Sequence, residues 1–273
     1  MKAIIEQALT LPIEQQYVYV TENGLTLNEI CEALKSKDSI LRDQLAPHLV
    51  MNCIQSESVS EEVLKGLVEH LISEDFLFNS IGTKLNDTIF IRSNAALWLT
   101  IIFQSNNVLS FLTGEEAKEL FEKISTYLYK EKDVRGFVEE KGWANAITNA
   151  MNLYITIVQD DAFEWRFVPT ILAGISKAIQ SDYVFVNDEE AKFAHFIQSL
   201  TKIDYPEDIL IEWIEQLYDR LQYQVYEEGY TPEFYKGKTN LTHTMQATYF
   251  KLKFSRAYPK AQATASIFLS KWA

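Results

Sequence analysis

Apolar positions recur at helical spacing along almost the whole chain. In SEEVLKGLVEHLIS, residues Val63, Leu64, Leu67, Val68 and Leu71 fall on one face. In GEEAKELFEKISTYLYKE, charges repeat on one face and Ala117, Leu120, Phe121, Ile124 and Leu128 on the other. TIFIRSNAALWLTIIFQ is nearly all apolar, which predicts a helix buried on most sides. Start signals fit this reading. TLNEICEALKSK opens with Thr26 and Glu29 at capping-box spacing. DSILRDQLAPHLVMNCIQ has Asp38 or Ser39 as a cap, and Pro47 predicts a kink inside it. Further helices are expected in EWRFVPTILAGISKAIQ, NDEEAKFAHFIQSLTK, PEDILIEWIEQLYDRLQYQV, THTMQATYFKLKFSRAY and AQATASIFLSKWA. YVYVTENG is the one short segment that reads as strand, the alternative being a simple connection between helices. VYEEGYTPEFYKGKTN, residues 225–240, reads as a long ordered surface loop.

Polar-faced helices alternate with more apolar ones. The apolar members begin near residues 38, 88, 143, 188 and 240, roughly 45 to 55 residues apart. That spacing predicts an all-α fold in which helix pairs stack as an irregular α-α superhelix, similar in kind to HEAT and armadillo arrays. An irregular helical bundle is the alternative. No Pro/Gly/Ser linker or charge run divides the chain, so a single domain over residues 1–273 is expected.

Composition adds exclusions. The chain has 273 residues, 47% of them hydrophobic, and a formal net charge of -13. So acidic a balance argues against nucleic acid and against anionic lipid as partners. Cys31 and Cys53 make no metal-binding spacing, and no two of the four histidines are three or four residues apart. No phosphate-cradling glycine motif and no nucleophile elbow is present. The N-terminus does not read as a signal peptide, and no stretch is long enough to span a membrane. A cytoplasmic protein without metal or cofactor is expected, and the balance tilts against an enzyme. Carboxylate pairs such as Glu189 with Glu190 and Asp160 with Asp161 fall at helix ends, where they act as caps or dipole partners.

One stretch departs from the pattern. KDVRGFVEEKGWANAITNAMNLY, residues 132–154, reads as two helices parted at Gly142. Asp133 is expected as an N-cap, Arg135 as its partner or that of Glu139 or Glu140, and Trp143 as a core wedge. Asn145, Asn149 and Asn152 stand at i, i+4 and i+7 on one helical face. Asparagine is a poor helix former, so its amides must be used. Either they bond neighbouring helices and water, or they form a polar ridge lining a groove.

Together with RDQL (Arg42 to Leu45) and IFIRSNAALWL (Ile89 to Leu99), this stretch resembles a bacterial family, domain-of-unknown-function family 2785, over most of the chain. The family is similar in character to all-helical repeat proteins. Its signature reads Asp-x-Arg-Gly, Lys-Gly-Trp-Ala-His, Ala-His, Asp-Leu. Asp133, Arg135, Gly136, Lys141, Gly142 and Trp143 match; Asn145 and Asn149 replace the two histidines, and Asn152 the aspartate. The resemblance implies that Arg92 lies near this face. Amides neither transfer protons near neutral pH nor bind transition metals well, so any metal or proton chemistry there is lost from this chain. The expected function is a non-catalytic protein- or peptide-binding module with a concave polar face, using Arg92, Asp133, Arg135, Trp143, Asn145, Asn149 and Asn152. The alternative is an enzyme or small-ligand-binding protein with a polar pocket around Asp87, Arg92, Asp133, Arg135 and the three asparagines.

Overall fold

The computed structural model describes residues 1–272, apart from the side chains of residues 107–109 and 272. Ala273, the last residue of the expected C-terminal helix, lies outside the described residues. The chain is all-α. Its helices are α1 (Lys2–Ala8), α2 (Ile13–Glu22), α3 (Leu27–Ile30), α4 (Ala46–Gln55), α5 (Glu61–Leu71), α6 (Thr88–Leu109), α7 (Gly114–Ser125) and α8 (Tyr127–Lys130). After a short hairpin, β1 (Phe137–Val138) and β2 (Gly142–Trp143), follow α9 (Ala146–Ile157), α10 (Val168–Ile179), α11 (Glu189–Ser199), α12 (Glu207–Glu228), α13 (Pro232–Ser255) and α14 (Pro259–Trp272).

Local chemistry sets the boundaries. Thr26 with Glu29 and Thr113 with Glu116 form complete capping boxes, and Ser60 and Thr231 cap α5 and α13 through their hydroxyls. The kink expected at Pro47 lies earlier. Residues Leu41–Leu45 form one π-helical turn that runs without a break into α4, and Pro47, which has no N–H to bond back into that turn, is the second residue of α4.

Three expectations are corrected. YVYVTENG is not a strand: it lies in and just after α2, with Gln16 and Val20, four residues apart, facing the core. Residues 225–240 are not a loop. α12 runs to Glu228, Gly229 turns with φ 78°, and Thr231 caps α13 at once, so stop and start signals are packed into three residues. Residues 132–145 are not helical; they form a buried connection and then the hairpin, with Phe137 opposite Trp143.

The more apolar helices form a row. α4 packs on α6, α6 on α9, α9 on α11 and α11 on α13. Cross-helix bonds fix the direction. Asn149 Nδ2 donates to Ser93 Oγ at 2.9 Å and Asn106 Nδ2 to Asp160 Oδ2 at 3.1 Å, so α6 and α9 run parallel. Asn187 Nδ2 to Asn145 Oδ1 and Lys192 Nζ to Asn152 Oδ1, both 3.0 Å, do the same for α9 and α11. The Phe185 amide on Asn240 Oδ1 at 3.1 Å extends this to α13, as does His195, whose pKa is lowered by burial and then by the nearby charge of Lys251. The row begins at residues 46, 88, 146, 189 and 232, in steps of 42, 58, 43 and 43. The long step contains the hairpin. One apolar cluster takes side chains from Ile5 to Phe268. A second, of Ile89, Phe90, Ala144 and Ala146 with Val138 against it, seats the hairpin on the start of α6.

Candidate functional site

Behind the hairpin lies a chain of buried charges. Arg92, on the second turn of α6, is fully buried. Its Nε and Nη2 donate to the two oxygens of Glu131 at 2.6 and 2.9 Å, and Nη1 donates to Asn79 O at 2.8 Å and Thr88 Oγ1 at 2.7 Å. Glu131 Oε1 also accepts the amides of Lys132 at 3.0 Å and Asp133 at 2.9 Å. Burial pushes the Glu131 carboxyl up, and Arg92 opposes that shift without cancelling it. Asp133 is not a helix cap. Its carboxylate accepts Arg135 Nε at 2.8 Å, Arg135 Nη2 at 2.7 Å and the Leu85 amide at 3.0 Å. Arg135 Nη2 reaches on to Asn86 O at 2.9 Å. Arg135 thus pairs with Asp133, which raises its pKa, rather than with Glu139 or Glu140. The network ties the segment before α6 to the segment after α8. Beside it the Tyr127 hydroxyl is buried without a partner, and burial pushes its pKa well up.

The three asparagines do not share one environment. Asn145 is the N-cap of α9 in a left-handed conformation (φ 51°) and accepts from Asn187. Asn149 is buried against α6, donating to Ser93 O and Oγ. Asn152, half-buried, accepts from Lys192 of α11. Each amide is used, Asn149 toward α6, Asn152 toward α11 and Asn145 toward the segment just before α11. Trp143 is no wedge: it is 45% exposed on the hairpin, edge-on to Phe137 with ring centres 5.1 Å apart. Asp87, just before α6, is exposed and bonded to Lys141 Nζ at 2.6 Å. The structure therefore brings together Arg92, Asp133 and Arg135, with the exposed Asp87 near Arg135, but sets Trp143 out on the hairpin and Asn152 against α11. Among the described residues no three His, Cys, Asp or Glu side chains are grouped to hold a metal. Cys31 and Cys53 are buried free thiols, and burial pushes Cys53 up to about 12. No helix of the described residues is long and apolar enough to cross a membrane.

Two surfaces emerge that the motifs did not name. The first is a cleft of about 480 Å³ between residues 34–42, the start of α6 and the hairpin tip. RDQL, IFIRSN and the Lys-Gly-Trp stretch all contribute to its surroundings. Arg42 lies over the Phe90 ring at 4.2 Å, is bonded to Asp43 at 2.6 and 2.8 Å, and reaches the Lys141 carbonyl at 3.3 Å. The second surface is the solvent side of the row. Gln55 and Gln104 line one groove between α4 and α6. The registers above set Gln159 and Gln198 at the same level on the next two members, all four exposed or half-buried. One turn back stand Met51, Ile101 and Ile155, each partly exposed. α4 and α9 carry no charged residue, and α6 only the buried Arg92. The acidity lies elsewhere: α12 alone has seven carboxylates against one arginine. Aligning the apolar helices on one period would have exposed the glutamines; Glu131 had no signal beyond its nearness to Asp133.

Fold and site define an all-α protein with a parallel row of apolar helices, a hairpin pinned by a buried ion-pair network, and a solvent face along the row on which α4, α6 and α9 present no Asp, Glu, Lys or Arg side chain. The chain belongs to the family described as "Protein of unknown function (DUF2785)", whose model matches residues 77–250. That span runs from the segment before α6 into α13. No curated protein and no solved structure matches the chain.

Proposed function

We propose that the chain is a single-domain helical-repeat binding module, its helix pairs stacked as a superhelix, that receives an extended peptide across the solvent face of the row. The carrying observation is the line of Gln55 on α4, Gln104 on α6, Gln159 in the turn just after α9 and Gln198 on α11, beside the apolar line of Met51, Ile101 and Ile155. A carboxamide both donates and accepts, as a peptide group does. Neighbouring helices sit about 8–10 Å apart, so each step spans about three residues of extended chain. Steps of 42, 43 and 43 residues support a repeat. Of the motif residues, only Asn152 belongs to this face.

A phage-displayed random peptide library selected on the protein tests the reading. Selected peptides should bind a Gln104→Ala, Gln159→Ala variant about tenfold or more weakly, and a Tyr226→Ala variant unchanged. Equal binding to the glutamine variant, or no selected peptide, would refute it.

A further inference from the structure

The cleft at the start of α6 lies about 20 Å along that helix from Gln104, and so apart from the peptide face. Its floor is apolar: Leu34 and Phe90 are buried and Ile91 is partly exposed. Most charges around it are already committed. Lys35 bonds Glu32 at 2.9 Å, Arg42 bonds Asp43 at 2.6 Å, and Lys141 bonds Asp87 at 2.6 Å. Two exposed charges are not. Lys37 and Glu140 line the cleft, and neither pairs with another side chain among the described residues, nor with each other. In addition, Arg42 Nη1 makes only a long contact, 3.4 Å, to Ser36 O.

A ligand that seals this cleft must satisfy one free cation and one free anion, and leave an apolar group on the floor. A monoanion would leave Glu140 repelling it or unsatisfied; a monocation would do the same to Lys37. A dianionic phosphate would bring a second negative charge beside Glu140. We infer that the cleft binds a zwitterionic α-amino acid with an apolar side chain, its carboxylate toward Lys37 and Arg42 Nη1, its ammonium toward Glu140, and its side chain against Leu34, Phe90 and Ile91. The cleft volume admits an aromatic side chain.

The probe is L-phenylalanine, titrated into ¹⁵N-labelled protein and read by amide chemical shifts. Saturable shifts confined to residues 34–42, 87–91 and 140–141 are expected. Hydrocinnamate, which lacks the ammonium, and 2-phenylethylamine, which lacks the carboxylate, should each bind at least about tenfold more weakly. Lys37→Glu, at an exposed position, should abolish the preference for phenylalanine over 2-phenylethylamine, and Ile91→Trp should fill the cleft and remove all three. Circular dichroism verifies that both variants are folded. Scattered or unsaturable shifts, equal affinity for the three compounds, or full binding by folded Ile91→Trp would each overturn the inference.

Discussion

Glu131→Gln is the sharpest test of the buried network. Both partners of the Arg92/Glu131 ion pair have side chains with no exposure. Replacing the carboxylate by an amide leaves a guanidinium in the interior, and arginine cannot shed its proton. The expected loss is about 3–5 kcal/mol, the usual cost of orphaning one buried charge. Arg92→Met is the mirror experiment with a different outcome. Its orphan is a carboxylate, which still holds the amides of Lys132 and Asp133 and can take up a proton. Burial already raises the Glu131 pKa against the opposition of Arg92, so removing the arginine raises it further. A carboxyl whose folded pKa exceeds its unfolded value of about 4.3 binds more protons when folded. The Arg92→Met protein should therefore lose stability as pH rises from that value through the folded pKa, by up to about 1.4 kcal/mol per pH unit. Urea unfolding of wild type and both variants at about pH 5 and about pH 7.5 separates the cases. The Glu131→Gln deficit should not grow with pH, because it removes a carboxyl whose raised pKa already costs the wild type stability as pH rises, and the Arg92→Met deficit should be larger at the higher pH. A Glu131→Gln loss below about 1 kcal/mol, or an Arg92→Met loss independent of pH, would refute the assignment of this pair as a buried, ionised clamp.

Two further outcomes follow from the same geometry. Asn149→Leu should cost about 1–3 kcal/mol, because it removes two donated bonds in a buried seam, whereas Asn152→Leu should stay within about 0.5 kcal/mol; denaturation midpoints compare them. The Glu116 carboxyl is held down at about 2, first by the Thr113 amide of its capping box and then by Lys65. Its contribution is complete above its ordinary value of 4.5 and is lost as pH falls through about 2, so Glu116→Gln should flatten the acid limb of the stability curve in that window.

Much of the fold was legible because helical period and capping are local. Thr26 with Glu29 and the apolar run of α6 could be read directly. The row was legible only in outline. Its apparent period of 45 to 55 residues blended steps near 43 with one long step that holds the hairpin. Residues 132–145 failed for a physical reason. Their fate depends on Arg92 and Leu85, which are 39 residues from Glu131 and 48 from Asp133, and no local pattern announces a bond over that distance. The asparagines show the same limit. Spacing put them on one helical face, but the left-handed backbone at Asn145 takes it out of the helix. Family resemblance was carried by segments that meet around α6, yet three of their charged side chains, Arg42, Arg92 and Asp133, turn inward to hold the chain in place.

The direction of the row has an electrical consequence. In an up-and-down bundle neighbouring macrodipoles cancel; here those of α4, α6, α9, α11 and α13 point the same way and add. The edge holding their first turns gains partial positive charge, about half a unit per helix within the last few ångströms. Glu189, Glu190 and Glu233 lie in first turns on that edge. The helices packed behind the row run the other way, as the tight turn from α12 to α13 requires, so the charge stays local to this edge and does not sum to a field across the molecule. Only an anion or carboxylate lying against those first turns feels it, and Glu189, Glu190 and Glu233 already occupy them.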